Sequence, residues 1–172
     1  MARLRKLTNK NTDAAVEQIA NYYRNSRLYL HESNSTDAYQ FYIDSYTRDT
    51  ELIIEQGHSY VYKGNYLIAL DVIQFFKEHP KEAQHYFGIV PAILEACKRE
   101  VDKSLFICAF GPKKEFLDKN SYVCLESFAK MYKDYVILTD CPTGYDIEVF
   151  HKNTTSDRIL IGGREAWRWG IR

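Results

Sequence analysis

The sequence predicts an α+β domain in which helices flank a mixed, mostly antiparallel sheet. Residues 104–110 (SLFICAF) form a continuous apolar run between charged residues and Gly111-Pro112, which is typical of a strand buried on both faces. Apolar residues at helical spacing from Val90 to Val101 predict a helix before that strand. Residues 59–72 hold two strand-like runs around a turn. A helix, a central strand, a short helix and a further strand make a crossover unit, which needs a sheet covered by helices.

The N-terminal third predicts one strand and two helices. Arg3–Leu7 alternates charged and apolar residues, as a strand does. Asn11 or Thr12 is a plausible N-cap for the first helix. The core face of that helix consists of Val16, Ile19, Ala20 and Tyr23. After a polar loop, Asp37–Ile54 carries a tyrosine-rich helical face, and Gly57 is expected to end this second helix.

The middle of the chain predicts a hairpin. Its strands are Ser59–Lys63 and Tyr66–Val72, and Gly64-Asn65 is expected to form the two-residue turn. The apolar residues Ile73–Phe76 extend the second strand in this interpretation, and Glu78–Lys81 ends it because Pro80 cannot donate to a ladder.

The C-terminal half predicts a short helix and four further strands. Pro112 suits the first turn of a helix over Lys113–Asn120. The predicted strands that follow are Val123–Lys130, Asp134–Thr139, Tyr145–Phe150 and Arg158–Ile161. We therefore expect a domain over residues 1–139 and a β extension over residues 140–172, packed on the domain or docked to a partner.

Composition excludes several classes of protein. The chain has 172 residues, 45% of them hydrophobic, which suits one folded domain. No apolar run approaches the roughly 20 residues of a membrane helix, and no apolar segment of a secretory signal follows the N-terminal arginines. A net charge of zero removes any general electrostatic case for nucleic-acid binding. The four cysteines lack metal-ligand spacing, so we expect no metal and a reducing, cytosol-like compartment.

Several residues carry two interpretations each. Asp71 and Glu126 fall on predicted strands and are candidates for a general base, although strand carboxylates are commonly just exposed. His85 is a candidate base or phosphate contact, or a structural histidine among aromatic residues. His58 and His79 lack the spacing of a metal site. Cys108 lies in the buried run and is expected to be a core residue.

The C-terminal segment Arg158–Arg172 combines tryptophans with arginines beside Gly162-Gly163. Trp and Arg are enriched at binding hot spots, which indicates a docking tail for another protein. A final strand packed on its own domain is the competing interpretation. The residues concerned are Arg164, Trp167, Arg168, Trp169 and Arg172.

The predicted order of elements over residues 3–139 resembles the GNAT (GCN5-related N-acetyltransferase) fold. LRKLTNKNTDAAVEQI is similar to the opening strand, cap and first helix of that family, and LDKNSY (Leu117–Tyr122) is similar to the segment after its fifth strand. The resemblance implies an acetyl-CoA-dependent N-acyltransferase. It also implies an acyl-CoA motif, Gln/Arg-x-x-Gly-x-Gly/Ala, at the start of the third long helix.

The matching places depart from the family pattern. The acyl-CoA segment would correspond to residues 85–90, with His85, Gly88, Ile89 and Val90 as cofactor-binding positions. Only Gly88 matches; Val90 adds a branched side chain, and Pro91 removes an N–H that would point at the pyrophosphate. In many family members a tyrosine after the fifth strand protonates the leaving thiolate, and the corresponding residue here is Leu117.

These departures predict a GNAT-fold protein that is not an enzyme, binds no cofactor and acts through contacts with other proteins. The run FLDKNSYV also resembles small phage-encoded GNAT-like proteins, which implies a virion or assembly role in a host cytoplasm or virion. The alternative is a divergent N-acetyltransferase that uses acetyl-CoA with Tyr122 or Tyr86 as the acid and Glu126 as the base. A third possibility is an unrelated α+β binding domain, which would lack a splayed pair of central strands.

Overall fold

The computed structural model describes residues 2–25, 47, 49–83, 103–114, 117–140, 154–161 and 164–171. Its strands form a seven-stranded sheet in the order β1-β2-β3-β4-β5-β7-β6. All neighbouring strands are antiparallel except β4 and β5, which run parallel. The predicted α+β class with a mixed, mostly antiparallel sheet is therefore confirmed.

The strands are β1 (Arg5–Lys6), β2 (Tyr60–Tyr62), β3 (Asn65–Leu70), β4 (Ser104–Gly111), β5 (Val136–Asp140), β6 (Thr154–Ile161) and β7 (Arg164–Ile171). The helices are α1 (Thr12–Asn25), α2 (residues 49–55), α3 (Val72–Glu78) and α4 (Lys119–Met131). A 3₁₀ turn, Asn9–Asn11, leads into α1.

Two hydrophobic clusters cover the two faces of the central strands. One packs α1, α2 and α3 against one face around Phe75 and Phe106, which are 0% and 2% exposed. The other packs α4 against the opposite face around Leu105 and Phe128, both 0% exposed. Because β4 contributes Leu105 to one cluster and Phe106 to the other, it is buried on both faces, as its continuous apolar run predicted.

The N-terminal predictions agree with the structure where it describes them. Val16, Ile19 and Ala20 of α1 are buried, as the helical spacing requires. Helix α2 is followed by a turn in which Gly57 has a φ of 84°, a backbone conformation that favours glycine at a helix end.

The hairpin is confirmed, but its turn is one residue earlier than predicted. Lys63 and Gly64 have φ values of 47° and 82°, the pair of positive angles that a type I′ turn requires. Asn65 is the first residue of β3 and pairs with Tyr62. The predicted Gly64-Asn65 turn is therefore wrong by one position.

The predicted extension of β3 through Ile73–Phe76 is wrong, because these residues belong to helix α3. The Asp71 carboxylate accepts a hydrogen bond from the Gln74 N–H at 2.9 Å, which caps the helix N-terminus. The buried side chains Val72 and Phe75 are three residues apart, so one helical face meets the core. Asp71 is thus a cap and not a strand carboxylate.

The predicted strand Val123–Lys130 is also wrong, because it lies inside helix α4. Its buried residues Cys124, Leu125, Phe128 and Ala129 recur at helical spacing. Of the short helix predicted over Lys113–Asn120, residues 113–114 and 117–118 are not helical, and Lys119 and Asn120 are the first two residues of α4. The crossover unit is real, but its helix is α4. Glu126 accordingly lies on a helix.

Some predictions fall outside the described residues. These are the helix from Val90 to Val101, the loop over residues 26–36, most of the predicted helix Asp37–Ile54 and the strand Tyr145–Phe150. Within the described residues, no helix combines the length and hydropathy needed to span a bilayer.

Candidate functional site

The described pairing of the central strands β4 and β5 covers the first half of β4. It runs from Ser104 opposite Val136 to Ile107 opposite Thr139, and β4 then continues to Gly111. On its other side, the register with β3 shifts between Ile68 and Ala69. The shift makes Cys108 the extra residue of a β-bulge, a feature that often lies beside active sites.

Helix α4 begins just beyond the carboxyl end of β4. The N–H groups at such a helix start, together with the helix dipole, form a natural binding place for anions. In this chain, the side chain of Asp118 already occupies the binding place at the start of α4. The Asp118 carboxylate accepts a hydrogen bond from the Ser121 N–H at 3.0 Å, and the Ser121 hydroxyl accepts one from the Asp118 N–H at 3.2 Å.

The Asp118 carboxylate is held in its ionised form. The hydrogen bond from the Ser121 N–H is the largest cause that lowers the Asp118 pKa, with a further contribution from Lys114. The Lys114 ammonium lies 3.2 Å from the carboxylate. A fixed negative charge thus stands where an anionic ligand would approach the helix.

A buried asparagine connects this capping box to the hairpin. Asn65 is 1% exposed, and its Oδ1 accepts hydrogen bonds from the Ser121 hydroxyl at 2.9 Å and from the Lys113 N–H at 3.1 Å. Its Nδ2 donates to the Tyr62 carbonyl at 2.9 Å. One side chain therefore joins β2, the segment after β4, and α4.

Gln18 of α1 makes a second connection at the same end of the sheet. Its Nε2 donates to the Gly64 carbonyl and, at 2.7 Å, to the Gly111 carbonyl. A side chain at Gly111 has no room, because a Cβ there would lie 2.7 Å from Ile19 Cγ1. We call this end of the sheet, defined by Gln18, Gly64, Asn65, Gly111, Asp118 and Ser121, the hairpin end.

The opposite end of the sheet contains a cavity with a mostly polar lining. A cavity of about 280 Å³ lies between α2, the start of β2 and α3. Its lining consists of Leu52, Glu55, Gln56, His58, Asp71, Gln74, Glu78 and His79. We call this the cavity end. Within the described residues, no group of three or more His, Cys, Asp or Glu side chains has a geometry that could hold a metal ion.

A chain of three polar side chains runs from this cavity towards α4. His58 Nδ1 and the Tyr132 hydroxyl are 3.0 Å apart, and the Tyr132 and Tyr60 hydroxyls are 2.9 Å apart. Burial lowers the pKa of His58, while Asp71 raises it and Lys6 lowers it further. Burial and the Tyr60 hydrogen bond raise the pKa of Tyr132.

The predicted catalytic residues do not come together in the described structure. Tyr122 is partly buried in the first half of α4. Glu126 is exposed on the same helix and forms a 2.7 Å ion pair with Lys130. Cys124, in the core, has its pKa raised to about 12 by burial, so it is a structural thiol. Tyr86 and the predicted cofactor positions His85, Gly88, Ile89 and Val90 lie outside the described residues.

The order of the strands bears on the predicted correspondence of Leu117 to the family's tyrosine. Among the described strands, Ser104–Gly111 is the fourth and β5 is the fifth. Leu117 precedes β5, whereas the resemblance placed it after the fifth strand of the family. The residues that build the hairpin end, Gln18, Asn65 and Ser121, were not predicted from the sequence. The spacing Asp118-x-x-Ser121 was a local signal for the cap, but no local signal indicated Gln18 or Asn65.

The tail residues lie in a strand that pairs within the chain. Arg164, Trp167, Arg168 and Trp169 belong to β7, between β5 and β6. Arg172 lies outside the described residues.

Comparison with known proteins gives a fold and no sequence relationship. No protein-family model matches the sequence, and no curated protein matches it. Among solved structures, the chain is similar to a Drosophila melanogaster polyamine N-acetyltransferase, which catalyses the formation of N-acetylagmatine. The identity is 11%, the TM-score is 0.54, and the match covers 99% of this chain and 98% of that one. The chain therefore has the fold of a GNAT acetyltransferase.

Proposed function

We propose that this chain is a GNAT-fold protein that has lost acetyl-CoA binding and acts through contacts with other proteins. The observation that carries the proposal is the Asp118 carboxylate on the first turn of α4. The sequence predicted the same loss of acetyl-CoA binding from Val90, Pro91 and Leu117. The physical reason proposed here is instead the carboxylate of Asp118.

The proposal takes α4, the helix between the two parallel strands, as the helix whose start would hold the acyl-CoA motif. The motif Gln/Arg-x-x-Gly-x-Gly/Ala would then fall on residues 115–120, which read Glu-Phe-Leu-Asp-Lys-Asn. Neither glycine position is small. Asp118 takes the place of the first glycine and uses a backbone donor for its own carboxylate.

Charge strengthens the case against a pyrophosphate at this place. A diphosphate needs free N–H donors and a positive field, and an ionised carboxylate beside it raises the free energy of binding. Lys113, Lys114 and Lys119 lie nearby and are exposed, but Lys114 already pairs with Asp118.

The first experiment is a titration of the wild-type protein with acetyl-CoA, followed by thermal shift and calorimetry. A ligand at one hundred times its Kd stabilises the folded state by about 2.7 kcal/mol. We expect no saturable shift at millimolar acetyl-CoA. A low-micromolar Kd together with turnover on any amine would overturn the proposal.

Asp118→Asn provides the matched variant for this titration, because asparagine also caps helices but carries no charge. Glu126→Gln is the control, since it removes one carboxylate from the exposed middle of the same helix. If the Asp118 charge is what opposes the ligand, acetyl-CoA affinity rises in the first variant and stays unchanged in the second.

The alternative is a divergent acetyl-CoA-dependent N-acyltransferase, and the β-bulge in the central strand favours it. The bulge is at Cys108, and such bulges often lie next to active sites. With β5 as the fifth strand, Tyr145 follows it by five residues and joins Tyr122 and Tyr86 as a candidate acid. Release of CoA from acetyl-CoA with agmatine, abolished in Tyr145→Phe or Tyr122→Phe, would establish the alternative.

A role in a phage virion gains no support from the comparisons, so the proposed partners are proteins of unspecified origin. The tail strand with Arg164, Trp167, Arg168 and Trp169, followed by Arg172, remains the proposed docking segment. Alanine substitution of Trp167 and Trp169 together tests it, by loss of co-purifying partners from the native source.

A further inference from the structure

The cavity end has an acidic lining. Three of its eight lining residues are acidic, and none is lysine or arginine. Glu55 belongs to α2, while Asp71 and Glu78 lie at the two ends of α3. The ammonium of Lys6 lies beside Gly57 but does not line the cavity. With both of its histidines neutral, the lining therefore has a formal charge of −3.

The three carboxylates have unused hydrogen-bonding capacity. One oxygen of Glu55 accepts a hydrogen bond from the Asn9 side chain. Asp71 and Glu78 each accept one from Gln74, the first from its N–H and the second from its side chain. Within the described residues, the second oxygen of each carboxylate has no protein partner, and none of the three forms an ion pair. Because an ionised carboxylate can accept about four hydrogen bonds, all three can bind further donors.

The cavity suits a long polar side chain better than a metal ion or a cofactor. In the part of the chain that the structure describes, no three acidic, histidine or cysteine side chains converge closely enough to hold a metal ion. Cofactor and drug-sized pockets measure about 300–1,000 Å³ and are mostly apolar. This cavity measures about 280 Å³, and Leu52 is its one apolar lining residue.

An arginine side chain matches this lining. Its planar guanidinium has five N–H donors and no acceptor, so it can bond to separate carboxylates at once. Leu52 offers an apolar contact to the methylene stem. The imidazole of His79, which lies 5.1 Å from the Phe75 ring, offers a flat surface for stacking. Both amide atoms of Gln56 bond to the Asp71 backbone, which fixes the start of α3 against α2 before anything binds.

We propose that the cavity end docks a basic segment of a partner protein and binds one arginine side chain of that segment between Glu55, Asp71 and Glu78. The argument for this occupant is charge complementarity, since a buried arginine in a pocket is a common anchor of protein interfaces. The inference rests on the proposed function, because it names the chemistry of the partner. The two can fail separately, since the acetyl-CoA titration probes the start of α4 and not this cavity.

The test is a titration of the full chain with a short peptide that carries one arginine between glycines and serines, followed by NMR. We expect saturable shifts of the His58 and His79 imidazole signals with a submillimolar Kd, because both rings line the cavity. The same peptide with glutamine in place of arginine is expected to bind at least tenfold more weakly.

Glu55→Gln and Glu78→Gln locate the binding place. Both residues are exposed, and glutamine can still accept the hydrogen bonds from Asn9 and Gln74, so we expect both variants to fold. Each is expected to raise the Kd of the arginine peptide at least fivefold. Glu17→Gln is the control, because it removes an equal charge from the exposed side of α1, outside the cavity lining. Its Kd is expected to stay within twofold of the wild-type value.

Three outcomes would overturn the proposal. One is the absence of a saturable shift at millimolar arginine peptide, and another is equal affinity for the glutamine peptide. The third is a Kd that changes equally in all three variants, because the peptide would then respond to the overall charge of the chain. If acetyl-CoA bound and the arginine peptide also bound at the cavity, the proposed function would fail while the docking site remained.

Discussion

The hairpin end and the cavity end of the sheet differ in how their polar groups find hydrogen-bond partners. Both must satisfy the polar groups where strands and helices terminate. At the hairpin end, Asn65 and Gln18 saturate backbone groups directly, and Asn65 is 1% exposed. At the cavity end, hydroxyl and imidazole groups bond to one another beside an open volume of about 280 Å³.

The contrast indicates where this molecule is rigid and where it responds to its surroundings. Direct side-chain bonds to the backbone connect three chain segments at the hairpin end, and the Asp118 carboxylate occupies the Ser121 N–H, one of the donors that a phosphate ligand would need. The cavity end keeps groups whose hydrogen-bond roles depend on protonation, since a histidine nitrogen donates or accepts according to its tautomer. We expect perturbations at the two ends to differ in kind as well as in size.

The largest effect is expected from Asn65→Ala. The substitution removes the partner of the Lys113 N–H and of the Tyr62 carbonyl, and it leaves the Ser121 hydroxyl with Asp118 alone. Because an unsatisfied buried polar group costs on the order of 1–3 kcal/mol, the free energy of unfolding should fall by about 3 kcal/mol. Urea denaturation measures the change.

Asn9→Ala is the control for that variant, because Asn9 is exposed and bonds to exposed Glu55. Its effect should stay within about 0.5 kcal/mol. If the two asparagine variants lost equal stability, the hairpin end would not be the rigid region described here.

A smaller effect is expected from Tyr132→Phe at the cavity end. The variant keeps the ring that packs 4.9 Å from the Phe128 ring, but it loses the hydroxyl between His58 and Tyr60. A half-buried hydrogen bond contributes about 1 kcal/mol, and water from the cavity can replace part of it. A double-mutant cycle with Tyr60→Phe isolates the hydroxyl pair; strictly additive losses would show that the two hydroxyls are not coupled.

Acid should affect the cavity end before the hairpin end. Burial lowers the folded-state pKa of His58 below its unfolded value of 6.5, so this contribution to stability is complete above pH 6.5. It is lost as the pH falls from 6.5 through the lower folded-state pKa. We expect a modest loss, because His58 is half-buried and Asp71 opposes the shift.

His58→Gln removes the titration but keeps a hydrogen-bonding side chain beside Tyr132. Chemical denaturation of this variant at a series of pH values should show a flatter profile than the wild type below pH 6.5. His79→Gln changes a histidine in the same cavity that contacts the Phe75 ring and not Tyr132, so it serves as the control. If the stability of His58→Gln depended on pH as that of the wild type does, the acid sensitivity would come from another group.

The smallest effect is expected from Glu126→Gln, which lies between the two ends on the exposed face of α4. Its partner Lys130 is one helical turn away at 2.7 Å, and both side chains are 43% exposed. Exposed pairs at this spacing contribute about 0.3–0.5 kcal/mol and are screened by salt. A loss above about 1 kcal/mol in 0.5 M salt would mean that α4 is more sensitive to surface charge than the two ends are to buried groups.

The sequence by itself determined the fold class and the elements with one clear periodicity. The helical spacing in α1 and the uninterrupted run of β4 each have one simple structural solution. Gly57 likewise ends α2 through a backbone conformation that glycine adopts without strain. These features depend on neighbours within a few residues, so local reasoning was sufficient.

Tertiary structure decided the elements whose apolar pattern suits both a helix and a strand. VIQFF and VCLESF are short runs that fit either period, and the caps Asp71 and Asp118 resolve the ambiguity only once the surrounding packing is known. The first error placed Ile73–Phe76 on a strand, and the second placed Glu126 on a strand; both segments belong to helices.

The hydrogen bonds of the hairpin end could not be predicted from neighbouring residues either, because they join residues that are far apart in the sequence. Asn65 and Ser121 are 56 residues apart, and Gln18 and Gly111 are 93 residues apart. Their hydrogen bonds form because the sheet brings the β2–β3 turn, the end of β4 and the start of α4 together. The sequence shows which side chains are polar, but the fold determines which group each of them bonds to.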